Sequence, residues 1–244
     1  MHCKLTLLVA ALLFCTVGSG SASAESGEQE IVILLHGLGR TDRSMAKMAS
    51  KLQQAGYAVE NIDYPSTRLS VSQISKHYLA PTVAWASAKY KKVHIVTHSM
   101  GGIITRHYLA EHGSGQIRRV VMLAPPNHGS EVIDNLGKMG LVTPMLGPGA
   151  AELSTADNSV PNSLPPLIRD DCEVGIIAGT RSYNPLFSYW VKGEDDGKVS
   201  VQSTILEGMS DHLVVKANHT FIMRNKTVIE QVIHFLRAGQ FRND

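Results

Sequence analysis

The chain has 244 residues, of which 43% are hydrophobic and 18% charged, and its formal net charge is +2. That is enough chain for one domain with a substantial core, and no biased tract marks it as disordered or fibrous. A balance this close to neutral argues against an electrostatic grip on nucleic acid, which needs a clustered basic surface.

Residues 1–24 read as a targeting segment. Lys4 supplies a positive start, residues 5–14 are dominated by Leu, Val and Ala, and Ala22-Ser23-Ala24 offers a signal-peptidase site. The apolar run is too short to span a hydrocarbon core of about 30 Å as a helix. Phe14 ahead of Cys15 argues against lipoprotein processing. Cleavage after Ala24 would leave a mature chain of residues 25–244 with a net charge of +1, exported to a periplasm or the extracellular space. Cys3 and Cys15 fall in the removed segment, so the mature chain would keep Cys172 and have no internal disulfide. Cys172 opens an apolar strand pattern and reads as a core residue.

Beyond residue 30, apolar runs alternate with helical patterns, as in a mostly parallel central sheet with helices on both faces. Ile31-Val32-Ile33-Leu34-Leu35 is a continuous apolar run, expected of a strand buried on both sides. Thr41 would cap the next helix, which carries Met45, Met48, Leu52 and Ala55 at three- and four-residue spacing and stops at Gly56. Residues 57–64 form the second strand, closed by Pro65. Residues 70–89 read as helical with a break at Pro81, where a second helix would start. Val93-His94-Ile95-Val96-Thr97 is a third strand, residues 101–112 a helix, and residues 119–124 and 172–178 the fourth and fifth strands. Leu213-Val214-Val215 is the last strand. An amphipathic helix with Val228, Val232, Ile233, Phe235 and Leu236 follows and stops near Gly239. With no internal repeat or linker in view, residues 25–244 read as a single domain.

Residues 126–171 interrupt the alternation, with five prolines from Pro144 onward, as a lid-like excursion or an irregular connection. Leu141, Val142, Met145 and Leu146 would make an apolar face there, with Gly140, Gly147 and Gly149 as hinges. The same side chains would serve equally well as core, and the pattern does not separate the two roles.

Thr97-His98-Ser99-Met100-Gly101-Gly102 lies between a buried strand and a helix. A serine on so sharp a turn projects its hydroxyl above the sheet edge, and crowding admits only small residues two positions to either side. Gly101 meets that demand, whereas Thr97 replaces the usual glycine. Read alone, Ser99 could equally be a helix cap. A second feature favours chemistry: Leu34-Leu35-His36-Gly37-Leu38-Gly39 ends the first strand in a glycine-rich turn. In acyl transfer such a loop and the residue after the nucleophile bind the developing oxyanion, here through the backbone N–H groups of Leu38 and Met100. His36 reads as a hydrogen-bonding group that shapes the loop.

A serine nucleophile needs a base, and the base needs an acid to orient it. His219 follows the last strand, where the base belongs in the chain order serine, acid, histidine. His212 precedes that strand and should point elsewhere. Asp196, in Asp196-Gly197-Lys198-Val199, follows the fifth strand and is the expected acid, with Asp195 its nearest rival; Asp211 sits too near the last strand. His107, Glu111 and His112 share a helix without the spacing of a zinc-protease motif. Gly113-Ser114-Gly115 lacks the context of a phosphate loop. These clusters give no reason to expect a bound metal.

With these motifs in hand, the chain resembles the secreted bacterial lipases and esterases of the α/β-hydrolase superfamily. The similarity rests on the loop from Leu35 to Gly39, the His-Ser-Met-Gly elbow, the Asp-Gly-x-Val acid and Asn218-His219-Thr220, and is weakest over residues 130–170. It implies an α/β-hydrolase fold with a small cap or none. It also implies a serine hydrolase of carboxylic esters, working through an acyl-enzyme on Ser99 with His219 and Asp196 and without a cofactor. The expected partner is a small-molecule or lipid ester, with contact to a lipid surface compatible with the excursion. A thioesterase or acyltransferase on the same three residues, or a non-catalytic binding protein of this fold, are the alternatives.

Overall fold

A computed structural model describes residues 30–167 and 171–242; the expected signal segment, residues 1–24, lies outside them. β1 (Glu30–Leu35) runs through a 3₁₀ turn (Asp42–Ser44) into α1 (Ala46–Gln54) and β2 (Ala58–Ile62). α2 (Val71–Ile74), a π-turn (Ser75–Leu79) and α3 (Ala80–Lys89) lead to β3 (Lys92–His98), α4 (Met100–His112) and β4 (Ile117–Leu123). Between β4 and β5 (Glu173–Gly179) lie α5 (Glu131–Lys138), α6 (Val142–Leu146), α7 (Pro148–Ala151) and α8 (Val160–Ser163). Then come α9 (Pro185–Trp190), α10 (Val201–Thr204), β6 (Asp211–Val215), a 3₁₀ turn (Ile222–Arg224) and α11 (Lys226–Ala238).

Six strands form one sheet in the order β2-β1-β3-β4-β5-β6, each neighbouring pair parallel. Successive strand residues face opposite sides of a sheet, and here both sides are apolar. Ile31, Ile33 and Leu35 of β1 join Ile95 and Met122 in a core covered by α2, α3 and α4. Val32 and Leu34 join Val96 and Val121 in a second core covered by Met48 and Leu52 of α1 and Val232 and Phe235 of α11. The chain runs from β1 outward to β2 and returns across β1 to β3. The crevice beyond the carboxyl ends of β1 and β3 is thus a topological switch point, where open α/β sheets bind ligands.

Four local expectations are corrected. Thr41 precedes the 3₁₀ turn without a side-chain cap bond, and α1 begins five residues later at Ala46. A second α-helix does start with Pro81 in its first turn, as expected, but the helical run does not break there. It runs from Val71 to Lys89 through the wider π-turn, which accommodates a proline that has no N–H for the preceding turn and would crowd its carbonyl. The Thr82 hydroxyl donates to the Tyr78 carbonyl at 2.8 Å, an added tie across this turn. His212 lies inside β6 and bonds Thr204 Oγ1 at 2.9 Å, well away from Ser99. Finally, Gly147 and Gly149 are packing positions. A Cβ on Gly147 would stand 1.8 Å from the Thr67 carbonyl oxygen, and one on Gly149 2.7 Å from that of Leu69.

The excursion after β4 is tied down along most of its length. Arg106 of α4 donates to the carbonyls of Asn127 (3.0 Å) and Leu164 (3.2 Å), and burial pushes its pKa down to about 10. Glu152 accepts the Val71 N–H at 2.7 Å. Val142 turns into the core, leaving Met139, Leu141 and Met145 as the exposed apolar side chains of the tip.

Sheet and closing helix meet with no spare volume at Gly175, where a Cβ would approach the Phe235 ring to 2.5 Å. Gly175→Ala should therefore destabilise the fold by about 1–3 kcal/mol, the usual cost of overpacking. A lower urea midpoint with an unchanged m-value is the expected result; an unchanged midpoint would mean that α11 shifts freely on the sheet.

Candidate active site

β3 ends at His98 and α4 starts at Met100, so Ser99 makes the whole turn between them, with φ 53° and ψ −122°. A non-glycine residue in that region carries strain of about 1–3 kcal/mol and persists only where its surroundings over-determine it. They do so here. The Ser99 N–H donates to the Leu123 carbonyl at 2.8 Å, extending the β3–β4 ladder, and the Gly102 N–H donates to the Ser99 carbonyl at 2.9 Å. A Cβ on Gly101 would lie 3.0 Å from the Leu35 carbonyl oxygen, and one on Gly37 3.2 Å from Ser99 Cβ. Thr97 fits at the first small position, fully buried with its hydroxyl towards Gly102.

The structure brings Ser99, His219 and Asp196 together. The Ser99 hydroxyl donates to His219 Nε2 at 2.9 Å, and His219 Nδ1–H donates to Asp196 Oδ2 at 2.7 Å. Asp196 Oδ1 accepts the backbone N–H groups of Lys198 (3.0 Å) and Val199 (2.9 Å), so the turn around Gly197 fixes the carboxylate. Asp195 serves that turn instead, accepting the Ser188 hydroxyl and the Gly197 N–H, each at 2.7 Å. Asp211, at the start of β6, accepts the Phe241 N–H at 2.7 Å, far from His219.

The loop after β1 lies alongside, because β1 and β3 pair in register with Leu35 opposite Thr97. Its turn closes with the Arg40 N–H on the Gly37 carbonyl at 3.2 Å and needs the positive φ of 64° at Gly39. Among the described residues, neither the Leu38 nor the Met100 N–H donates to a protein acceptor, so both are available to an oxygen above Ser99. His36 shapes the loop. It stacks on Tyr64 at 3.9 Å between centroids and donates from Nδ1 to the Gly37 carbonyl at 2.9 Å. Burial lowers its pKa, which keeps it a neutral donor.

Three contributors have roles in the site that no motif in the chain displays. His98 is buried and donates from Nε2 to the His219 carbonyl at 2.9 Å, while the His219 N–H donates to the Asp196 carbonyl at 2.9 Å. The backbone of His219 is thereby clamped from both sides. Burial, and then the neighbouring His219, hold His98 well below the usual imidazole range. Arg40 and Lys198 line the cleft over Ser99, a space of about 350 Å³. Burial and the nearby Arg40 lower the Lys198 pKa. The apolar wall of the cleft includes Leu136, Leu141, Met145 and Leu146 of the excursion and Phe187 of α9. Among the described residues, no group of three or more His, Cys, Asp or Glu is placed to hold a metal ion.

The chain belongs to the alpha/beta hydrolase family, whose profile matches residues 32–220. Its fold is similar to that of the Bacillus licheniformis lipase BlEst2 in mature form, at 19% identity and a TM-score of 0.68, over 87% of this chain and 93% of that one. It is also similar to a structure of the metagenome-derived lipolytic enzymes LipS and LipT, at 15% identity and a TM-score of 0.60, over 86% and 94% of the two chains. Aspergillus fumigatus lipase B is 15% identical with a TM-score of 0.59, over 86% of this chain and 52% of that one.

Burial of neutral imidazoles ties stability to pH. His36, His94, His98 and His212 all have lowered pKa values, with burial the first cause in each case. In the unfolded chain they take up protons near pH 6.5, so their contribution is fully present above that value. It is lost as pH falls from there towards each lowered folded value, by up to about 1.4 kcal/mol per pH unit for each group. Urea unfolding should give a clearly lower midpoint at pH 5.5 than at pH 7.5. Equal midpoints would contradict the burial of neutral rings.

Proposed function

We propose that the protein hydrolyses carboxylic esters through an acyl-enzyme on Ser99, with His219 as general base and then general acid, and Asp196 as its orienting carboxylate. The observation that carries this reading is the unbroken relay from Ser99 Oγ through His219 to Asp196, at 2.9 and 2.7 Å, at the floor of an apolar cleft. As Ser99 Oγ bonds to the ester carbonyl carbon, its proton passes to His219 Nε2. The carbonyl oxygen, now an anion, accepts from the Leu38 and Met100 N–H groups, and Asp196 stabilises the imidazolium. Collapse breaks the ester C–O bond, and the alcohol leaves with the proton from His219. Water then gives a proton to His219 and its oxygen to the acyl carbon, and Ser99 departs reprotonated as the carboxylic acid forms.

A fluorophosphonate probe reacts only with an activated serine, so it should label the protein at Ser99. Ser99→Ala should abolish labelling and lower kcat by roughly 10⁶. Asp196→Asn should cost about 10⁴, the scale for a wrongly held imidazole tautomer, and Asp195→Asn far less. Labelling at another serine, or the reverse ranking of the two aspartates, would overturn these roles.

The acyl chain is assigned to the apolar wall formed by the excursion. Leu141 and Met145 are exposed at 39% and 68% and line the cleft, so they are free of the core and able to cover a chain. The neighbouring tip residue Met139, and Leu186 and Tyr189 of α9, are likewise exposed, which suits substrate delivered from a lipid surface. Leu141→Ser combined with Met145→Ser should lower kcat/KM for long-chain p-nitrophenyl esters by about tenfold or more, since burying each such side chain is worth about 1.5–3 kcal/mol. Short esters and the melting temperature should hardly change. Equal losses at every chain length together with a lower melt would assign these residues to packing instead.

A further inference from the structure

The cleft that holds Ser99 does not end at His219. A second groove of about 220 Å³ adjoins it, sharing Phe187, Lys198 and His219 and adding polar groups such as Asn184 and Thr220. A third, of about 210 Å³, continues from the second through Tyr183, Asn218 and Phe221 and is lined by Arg181, Lys216 and Arg224. Chemical character changes along this path. The excursion side of Ser99 is apolar, whereas Arg40 and Lys198 flank the reacting groups and three more cations lie beyond His219. Among the described residues, none of these five cations has a carboxylate within 4.0 Å. Lys198 is largely withdrawn from solvent as well; the Asp196 carboxylate offsets its burial and the neighbouring Arg40 only in part, and a bound anion would offset more of that cost. On a chain whose net charge is only +2, five cations without a close ion pair along one groove are a local concentration.

We propose that the leaving alcohol of the substrate carries a phosphate, held by Lys198 and Arg40 beside the catalytic serine and attracted along the groove by Arg181, Lys216 and Arg224. The assignment rests on the ester-hydrolase reading above and makes it more specific. With the acyl chain on the apolar side and the carbonyl at Ser99, the alcohol lies on the side of His219, which must protonate it. That is the side on which the cations stand. A carboxylate at the far end of the acyl chain would instead be buried among leucines. The substrate class is therefore an acyl ester of a phosphorylated alcohol, such as a monoacyl glycerophosphate.

The test compares 1-hexanoylglycerol with 1-hexanoylglycerol 3-phosphate, both below their aggregation limits so that no lipid surface takes part. The phosphorylated ester should have the higher kcat/KM by about tenfold or more, the value of one charge-assisted hydrogen bond. Added salt should shrink the ratio, and Arg181→Gln with Arg224→Gln, and separately Lys198→Gln, should reduce it. A ratio at or below one, with the neutral ester still hydrolysed, would overturn the phosphate site and leave ester hydrolysis standing. A preference found only on vesicles of anionic lipid would also overturn it, since the cations would then serve a membrane surface. Hexyl phosphate titrated into Ser99→Ala provides a readout without turnover. Binding that Lys198→Gln weakens, in a protein whose wild type cleaves no ester, would keep the phosphate site and remove the hydrolase reading. Absence of binding would overturn the site directly.

Discussion

A serine with its backbone at φ 53° sits at the one place in this sheet where two neighbouring strands lead in opposite directions along the chain's path. That conformation is unfavourable for any residue with a Cβ, and every feature of the site helps to hold it or follows from it. The ladder bond from Ser99 to Leu123 fixes the turn at its base. Gly101 admits Leu35 and its carbonyl because it has no side chain, and Gly37 leaves room for His98 and Ser99 Cβ. A side chain at either glycine would push the β1 loop away from Ser99. The Leu38 N–H would then lose its position relative to the Met100 N–H, although neither residue changes.

His219 is held with equal economy. Its ring is set by two hydrogen bonds and its backbone by two more, one of them from a histidine that burial keeps neutral. The neutrality matters. A second positive imidazole with its centroid 4.9 Å from that of His219 would oppose the positive charge that His219 would take up as the proposed general base. His98 therefore contributes a donor without contributing a charge. His36 does the same for the neighbouring loop, where its ring stacks on Tyr64 and its Nδ1 serves the Gly37 carbonyl.

The parts of the fold legible in the chain were those whose cause is local. Ile31 to Leu35 had to be a strand buried on both sides because five apolar residues leave no polar face. The Ser-Met-Gly-Gly turn, and an acid and a histidine after late strands, follow a chain order that a sequence displays directly. Asp196 and Asp195 are less separable in the chain, because adjacent residues differ only in which one the Gly197 turn aims at His219. Less legible were features that depend on what packs where. Pro81 signals a helix start, but only the π-turn before it explains why the helix need not stop. Gly147 and Gly149 look like hinges until Thr67 and Leu69, some 80 residues earlier, are found against them. Arg40 and Lys198 gave no signal because their meaning lies in sharing one cleft, and 157 positions separate them.

Those packed glycines also decide what kind of cover the cleft has. With Gly147 and Gly149 pressed on the backbone of Thr67 and Leu69, α7 cannot swing without breaking a backbone-to-backbone fit. Gly129 is similarly constrained, since a Cβ there would lie 2.1 Å from the Ser154 carbonyl oxygen. Freedom is left to the tip that carries Met139, Leu141 and Met145, where a Cβ on Gly140 would meet nothing within 4 Å. A cleft walled this way is largely formed before substrate arrives, so little of the binding energy goes into ordering the excursion. The apolar wall and the basic groove then lie on either side of Ser99, the wall anchored where α7 packs on Thr67 and Leu69 and free at its tip. For the substrate class proposed above, such an arrangement would discriminate by how charge and chain are spaced about the ester bond, more than by the length of the chain alone.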